Sequence, residues 1–249
     1  MTTPPTVLVH GNPETPALWD PLAGCLQRDV VRLAPPGFGA PLPAGFGASM
    51  PDYHAWLVAE LERIGEPVDL VGHDWGGVHV VNLAMARPDL LRSWVSDAVG
   101  VFDEDYVWHD MALALQQPGV GEQAVAELIG GTIADRTVWL TSSGFPQDVA
   151  QQVAAGQDDD MGRAVLALYR SAAQPAMVEA GRSLEAAAAR PGLALLPSED
   201  SFVGTDAQRR RAAARAGARV EVLDGLGHWW MVEDPQRGAA VLERFWAPL

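Results

Sequence analysis

Gly72-His73-Asp74-Trp75-Gly76-Gly77 follows a short apolar run and precedes a helical pattern that begins near Val78. Glycines two residues before and after Asp74 permit a sharp strand-to-helix turn. Such a turn holds the middle side chain above a sheet and beside a helix N-terminus. A serine there would need a base before it could attack. An aspartate is already ionised near pH 7 and can attack carbon directly. An isolated aspartate before a helix more often caps it, and a tryptophan such as Trp75 more often belongs to a core. Two downstream residues favour chemistry over these plainer roles. His228 stands in Gly225-Leu226-Gly227-His228-Trp229-Trp230 after the last strand-like run, and Ser198-Glu199-Asp200 follows the run before it. Asp200 can hold the imidazole in one tautomer and stabilise its charge. Nucleophile, acid and base then come in the order Asp74, Asp200, His228.

The other histidines, His10, His54, His73, His79 and His109, have weaker contexts. His10-Gly11-Asn12-Pro13-Glu14 is by itself a turn signal, although Asn12 offers both a backbone N–H and an amide. Asp158-Asp159-Asp160 stands at a helix start, where carboxylates favour the helix dipole in solvent, and no metal site is assigned to it.

The elements that must position these residues are legible as short Val- and Leu-rich runs. Thr6–Val9, Val30–Leu33, Val68–Val71, Ser93–Ser96, Leu193–Leu196 and Val220–Leu223 read as strands. Their near-continuous apolarity predicts strands covered on both faces, hence an α/β chain with a mostly parallel, doubly wound sheet. Ser49 is placed to cap a helix over 51–64, where Tyr53, Trp56, Leu57, Leu61 and Ile64 recur at helical spacing before Gly65. Between 101 and 190 the alternation stops. Alanine-rich helical stretches broken at Pro118, Gly130-Gly131, Gly144, Pro146 and Pro175 read as an insertion between two strands. The expected division is a core of 1–100 with 191–249, and a helical insertion of 101–190. Ligands of parallel sheets bind beyond the strands' carboxyl ends, where the four loops above lie.

Composition removes other chemistries. Of 249 residues, the 17 basic ones are all arginine. Without lysine there is no Schiff base, no pyridoxal phosphate enzyme and no Walker-type phosphate loop. One cysteine, Cys25, makes neither an intramolecular disulfide nor a cysteine-rich zinc site, in keeping with a cytoplasmic protein. Net charge −15 disfavours nucleic acid and anionic membranes as partners. No export or membrane-spanning segment is visible. No cofactor is expected, and the protein is expected to be a monomer or a small homo-oligomer. The arginine-only, alanine-rich composition suggests a GC-rich bacterial genome, which concerns codon supply rather than function.

Taken together, His10-Gly11-Asn12-Pro13, Pro36-Gly37-Phe38-Gly39, the turn around Asp74, Ser198-Glu199-Asp200 and Gly227-His228-Trp229 resemble the α/β-hydrolases with an aspartate nucleophile. That group holds the epoxide hydrolases and haloalkane dehalogenases. The resemblance runs over nearly the whole chain. It implies the α/β-hydrolase fold with a helical cap formed by the insertion. Members usually carry two more strands ahead of the His-Gly loop, so a trimmed sheet of about six strands is expected. It also implies a two-step reaction. Asp74 forms an alkyl ester, then His228, oriented by Asp200, activates water to hydrolyse it. The backbone N–H groups of Asn12 and Trp75 would form the oxyanion hole. Asp97, at the end of the fourth strand, is where many dehalogenases keep the acid, and is the reserve candidate.

The resemblance favours epoxide hydrolysis to a diol. Gln117–Glu122 is similar to an epoxide-hydrolase cap segment, and Leu168-Tyr169-Arg170 to the one carrying a proton-donating tyrosine. A cap-packing role for Tyr169 is the equal alternative. The place of the second tyrosine holds Met111, with Tyr106 or His109 as possible substitutes. Asn12 with Trp75 instead resembles the amide and indole halide donors of dehalogenases, so hydrolytic dehalogenation is the alternative. Fluoroacetate-type dehalogenation fits less well, because Trp75 and Val78 stand where those enzymes place arginines. A non-catalytic small-molecule binding protein is a third reading, and the retained triad argues against it. A negative surface around a carboxylate nucleophile points to a small neutral electrophile and water as the reactants.

Overall fold

The computed structural model describes residues 4–249. Six strands form, β1 (Thr6–Val9), β2 (Val30–Leu33), β3 (Val68–Gly72), β4 (Leu91–Ser96), β5 (Gly192–Pro197) and β6 (Arg219–Leu223). They line up as β2-β1-β3-β4-β5-β6 with every neighbouring pair parallel. The order reverses at β1, so β1 and β3 lie side by side with their crossovers leaving in opposite directions. That is the crevice in which doubly wound sheets bind ligands.

The period-2 alternation of strands divides the core in two. Val7 and Val9 of β1 pack with Tyr53, Leu57 and Leu61 of the Met50–Ile64 helix and with the Trp75–Ala86 helix. Leu8 faces the other way, onto Leu18, Trp19 and the Pro235–Trp246 helix. β5 divides likewise, Ala194 and Leu196 to the first layer and Leu193 and Leu195 to the second. The outer strands depart from the expected two-sided cover. Val31 of β2 and Val220 and Val222 of β6 are exposed, because an edge strand has a neighbour on one side only.

Ser49 and Asp52 form a reciprocal cap on the Met50–Ile64 helix, with the Ser49 N–H donating to Asp52 Oδ2 at 3.0 Å and the Asp52 N–H to Ser49 Oγ at 3.4 Å. Early in β3, at the end of the sheet away from that cleft, Asp69 is fully buried. It is compensated by Ser93 Oγ at 2.5 Å, Arg92 Nε at 2.8 Å and Arg28 Nη1 at 3.1 Å. From β4 to β5 the chain makes helices only, among them Asp110–Gln116, Val120–Ile129, Ile133–Ser142, Gln147–Ala155 and Asp159–Ser171. Their breaks fall at the prolines and glycines singled out above, except the one between the last two, which falls at Gly156. Asp158 caps the last of them through Met161 N, and Asp159 and Asp160 lie in its first turn. No helix among the described residues is long and apolar enough to cross a membrane.

Candidate active site

β3 runs into the Trp75–Ala86 helix through a turn in which Asp74 adopts φ 51°, ψ −122°. A positive φ is unfavourable for a side chain with a Cβ and persists only where the surroundings enforce it. The enforcement is contact. A Cβ on Gly76 would stand 2.1 Å from the Val9 carbonyl oxygen, and one on Gly72 2.4 Å from that of Gly76. A Cβ on Gly11 would meet Asp74 Oδ1 at 2.2 Å, so the first loop closes directly onto the carboxylate. From that loop the Asn12 N–H donates to Asp74 Oδ1 at 3.0 Å. Trp75 is the first residue of its helix, where backbone N–H groups lack intrahelical acceptors.

The other carboxylate oxygen, Asp74 Oδ2, is 3.9 Å from His228 Nε2, and His228 Nδ1 is 2.9 Å from Asp200 Oδ2. Asp200 is buried, and its second oxygen accepts from the Phe202 N–H at 2.8 Å. Residues up to 154 positions apart thus stand in one line. Asp97 is turned elsewhere. Its Oδ1 accepts the Asp74 N–H at 2.9 Å, and its Oδ2 meets His73 Nδ1 and the Trp230 indole N–H, both at 2.7 Å. The reserve acid therefore does not face His228; it fixes the turn from below.

Burial pulls the His228 pKa down, but the charge and hydrogen bond of Asp200, with the charge of Asp74, outweigh it and raise the value to about 10. Burial and the Asp74 charge lift the Tyr169 pKa well above the phenol range, so the hydroxyl keeps its proton. A histidine with a folded value near 10 against 6.5 unfolded stabilises the fold fully below about pH 6.5. That contribution is lost as pH rises through about 10. Thermal melts should accordingly show stability falling from pH 7 to 10 in the wild type, and a flatter profile in Asp200→Asn. Parallel profiles in the two proteins would contradict the assignment.

Tyr169 packs edge-on against Trp75, ring centroids 5.2 Å apart, and lines the same cavity as Asn12, Asp74 and His228. Of the two substitutes for the missing tyrosine, Tyr106 is committed, its hydroxyl donating to the Phe202 carbonyl at 2.9 Å. His109 caps the Asp110–Gln116 helix, its Nδ1 accepting from Ala112 N at 3.3 Å, and its ring also lines the cavity.

Three residues escaped the sequence reading. Glu14 is fully buried and its Oε1 accepts from the Trp229 indole at 2.9 Å, while its Oε2 has no partner; burial raises its pKa. His73 Nε2 is likewise buried and unpartnered, beside the His228 ring at 4.5 Å. Trp108 stacks on Trp75 at 5.7 Å with an unpartnered indole N–H, and lines the space next to Asp74. Asn12 Nδ2 is a fourth buried polar atom of the site without a partner. Only the unusual Glu after the Asn12-Pro13 turn, and the two aromatics of Tyr106-Val107-Trp108, could have signalled the first and third. Glu14, His73 and His228 bring ligand atoms within 4.8 Å of one another, the one grouping of metal-ligand spacing found among the described residues. A carboxylate on each imidazole Nδ1 would serve a ligand or a base equally well.

A family model described as alpha/beta hydrolase family matches residues 6–241. The chain belongs to the alpha/beta hydrolase family. Among curated relatives of this hydrolase, an epoxide hydrolase of Caballeronia sordidicola is 30% identical over 103 residues, 36% of this chain and 29% of that one. Haloalkane dehalogenase 2 of Mycobacterium bovis is 37% identical over 100 residues, 38% of this chain and 34% of that one. The aligned part is about a third of the length of these curated relatives. Among solved structures, E-2-(acetamidomethylene)succinate hydrolase superposes with TM-score 0.75 at 19% identity, covering 98% of this chain and 91% of that one. Haloalkane dehalogenase DbeA from Bradyrhizobium elkani gives 0.71 at 19% identity, covering 99% and 92%. At such identity these structures establish the fold of the hydrolase and nothing finer.

Proposed function

We propose that the protein hydrolyses a small neutral epoxide to a vicinal diol through an ester on Asp74. The observation that carries this reading is the line Asp74–His228–Asp200, at 3.9 and 2.9 Å, with a protonated Tyr169 lining the same cavity. An Asp74 oxygen attacks an epoxide carbon as the C–O bond breaks. The electron pair goes to the ring oxygen, which takes the Tyr169 proton. Ester formation removes the Asp74 charge, one of the charges holding the His228 pKa up. The imidazolium can then give up its proton to restore Tyr169, which leaves His228 neutral and ready to act as a base.

In the second step His228 takes a proton from water, and the hydroxide adds to the Asp74 carbonyl carbon. The resulting oxyanion is met by the N–H groups of Asn12 and Trp75, an interaction whose loss typically costs about 10² to 10³ in rate. Collapse breaks the acyl C–O bond, the diol leaves with the proton from His228, and the Asp74 carboxylic acid so formed gives its proton to His228, which restores the carboxylate and the imidazolium. The unpartnered atoms Glu14 Oε2 and His73 Nε2, both beside His228, provide the polar contacts a held water requires.

The second reading, hydrolytic dehalogenation, is favoured by the donors that lack acceptors. Asn12 Nδ2 and the Trp108 indole are buried near Asp74 and suit a departing halide, which needs no proton. The test offers the wild type an epoxide and a bromoalkane of matched shape and measures diol and free bromide. Diol formation at least tenfold above bromide release is the expected result. Bromide exceeding diol would replace the first reading with the second, and neither product would remove both.

A further inference from the structure

The catalytic cavity is small, about 70 Å³, with Asp74, Asn12, Tyr169 and His228 in its wall. Pockets that enclose a whole drug-sized ligand run to about 300–1,000 Å³. A second cavity of about 470 Å³ lies farther out. Met111, Leu128 and Trp139 line both. They come from three separate helices, Asp110–Gln116, Val120–Ile129 and Ile133–Ser142, which converge on one opening. Trp139 stands edge-on to Trp229 at 5.8 Å, and Trp229 is anchored through its indole to Glu14 and flanks the His228 ring at 5.2 Å. This side of the opening is therefore braced against the catalytic residues. Met111 is 45% exposed and unbranched, free to change rotamer.

Resting on the reading above, we infer that Met111, Leu128 and Trp139 form a collar that selects substrates with the electrophilic carbon at the end of an unbranched, neutral apolar chain. The reacting end fits the inner cavity, the chain passes the collar, and the tail lies in the outer one. A branch or second substituent beside the reacting carbon has to occupy the inner cavity, which lacks room for it. Each methylene that reaches apolar wall should improve affinity by up to about fourfold. In the outer cavity's wall Asp110, Glu127 and Asp135 outnumber Arg136, whose guanidinium is engaged by the backbone carbonyls of Ile129, Gly131 and Ala154, so a tail ending in a carboxylate is disfavoured.

The test uses 1,2-epoxides and 1-bromoalkanes of four, eight and twelve carbons, with their 2,3-epoxy and 2-bromo isomers. Wild type should prefer the terminal eight-carbon compound over its internal isomer, and over the four-carbon compound, by at least tenfold in kcat/KM, the length effect residing in KM. Trp139→Ala should cut the terminal-to-internal ratio at least fivefold, and Met111→Ala, at an exposed position, should move it the same way. Equal rates on terminal and internal isomers in the wild type would overturn the inference. So would unchanged ratios in both variants, with native circular dichroism, and the hydrolase reading would then stand alone. If no compound of either series is consumed and none leaves a mass on Asp74, the hydrolase reading fails and the collar's role fails with it.

Discussion

A His228→Gln variant is expected to accept one equivalent of substrate and then stop, with the substrate's mass added to the intact protein. Asp74 can still attack, because its carboxylate is held by the Asn12 N–H at 3.0 Å and by a turn that owes nothing to the imidazole. Hydrolysis fails because glutamine occupies a similar volume but cannot take a proton from water. General-base assistance is worth about 10² to 10⁴ in rate, so the ester should persist long enough for mass spectrometry after seconds of mixing. Peptide mapping should place the mass on Asp74. A variant that consumes an accepted substrate at a rate near wild type, or never carries a mass although the wild type turns over, would rule out the two-step mechanism.

The second large effect is expected for Asp74→Ala, where no electron pair remains to displace the leaving group. Loss of a covalent nucleophile costs on the order of 10⁶ in kcat in a well-studied hydrolase, and a comparable collapse is expected here. The variant should fold, since alanine keeps a Cβ of the same size at the strained φ and the contacts that enforce the turn come from Gly72, Gly76 and Gly11. Combined with His228→Gln, it should carry no adduct with any substrate. Persistent labelling of the double variant would place the covalent step on another side chain. Buried Glu14 would be the first to examine, because it lies next to both residues.

The two variants together also explain the pKa ordering. In the resting protein His228 lies between two carboxylates and is held protonated up to about pH 10. Asp74→Ala removes one of them, so the imidazole should titrate at lower pH in that variant. Its resonance in a proton NMR titration should shift towards the ordinary histidine range, the same change that ester formation brings in the proposed cycle.

How much of this could be read in advance depended on distance along the chain. Asp74 was legible because its position is decided within five residues. Glycines before and after it can bring two backbone segments within a side chain's width, and no distant element is needed to see that. Six strands and their bounds were legible to within two residues, because apolar runs of four to six residues between turn signals have few other uses. The edges of the sheet were not, since β2 and β6 have strand-like composition whether or not a neighbour covers them.

Asp97 and Asp200 show where local reading stops. Each follows a strand, each is buried and each is an acid. Which of them meets His228 depends on strand order and on where the long loop after β6 returns. In the fold, β4 places Asp97 beneath the turn, on the Asp74 N–H, His73 and Trp230, while the loop after β5 places Asp200 on His228. Glu14, His73 and Trp108 were hidden for the same reason. Their meaning lies in an unpartnered atom, and a missing partner becomes visible only when every neighbour is in place.

The sequence by itself therefore determined the six strands, the sharp turn at Asp74 and the residue types able to do the chemistry, since all of these rest on interactions between residues a few positions apart. Tertiary structure alone decided which acid meets His228, which buried polar groups surround Asp74, and how three helices come together beside it. Those are outcomes of packing between segments up to 154 residues apart along the line Asp74–His228–Asp200, where side-chain direction is fixed by neighbours that sequence spacing does not specify.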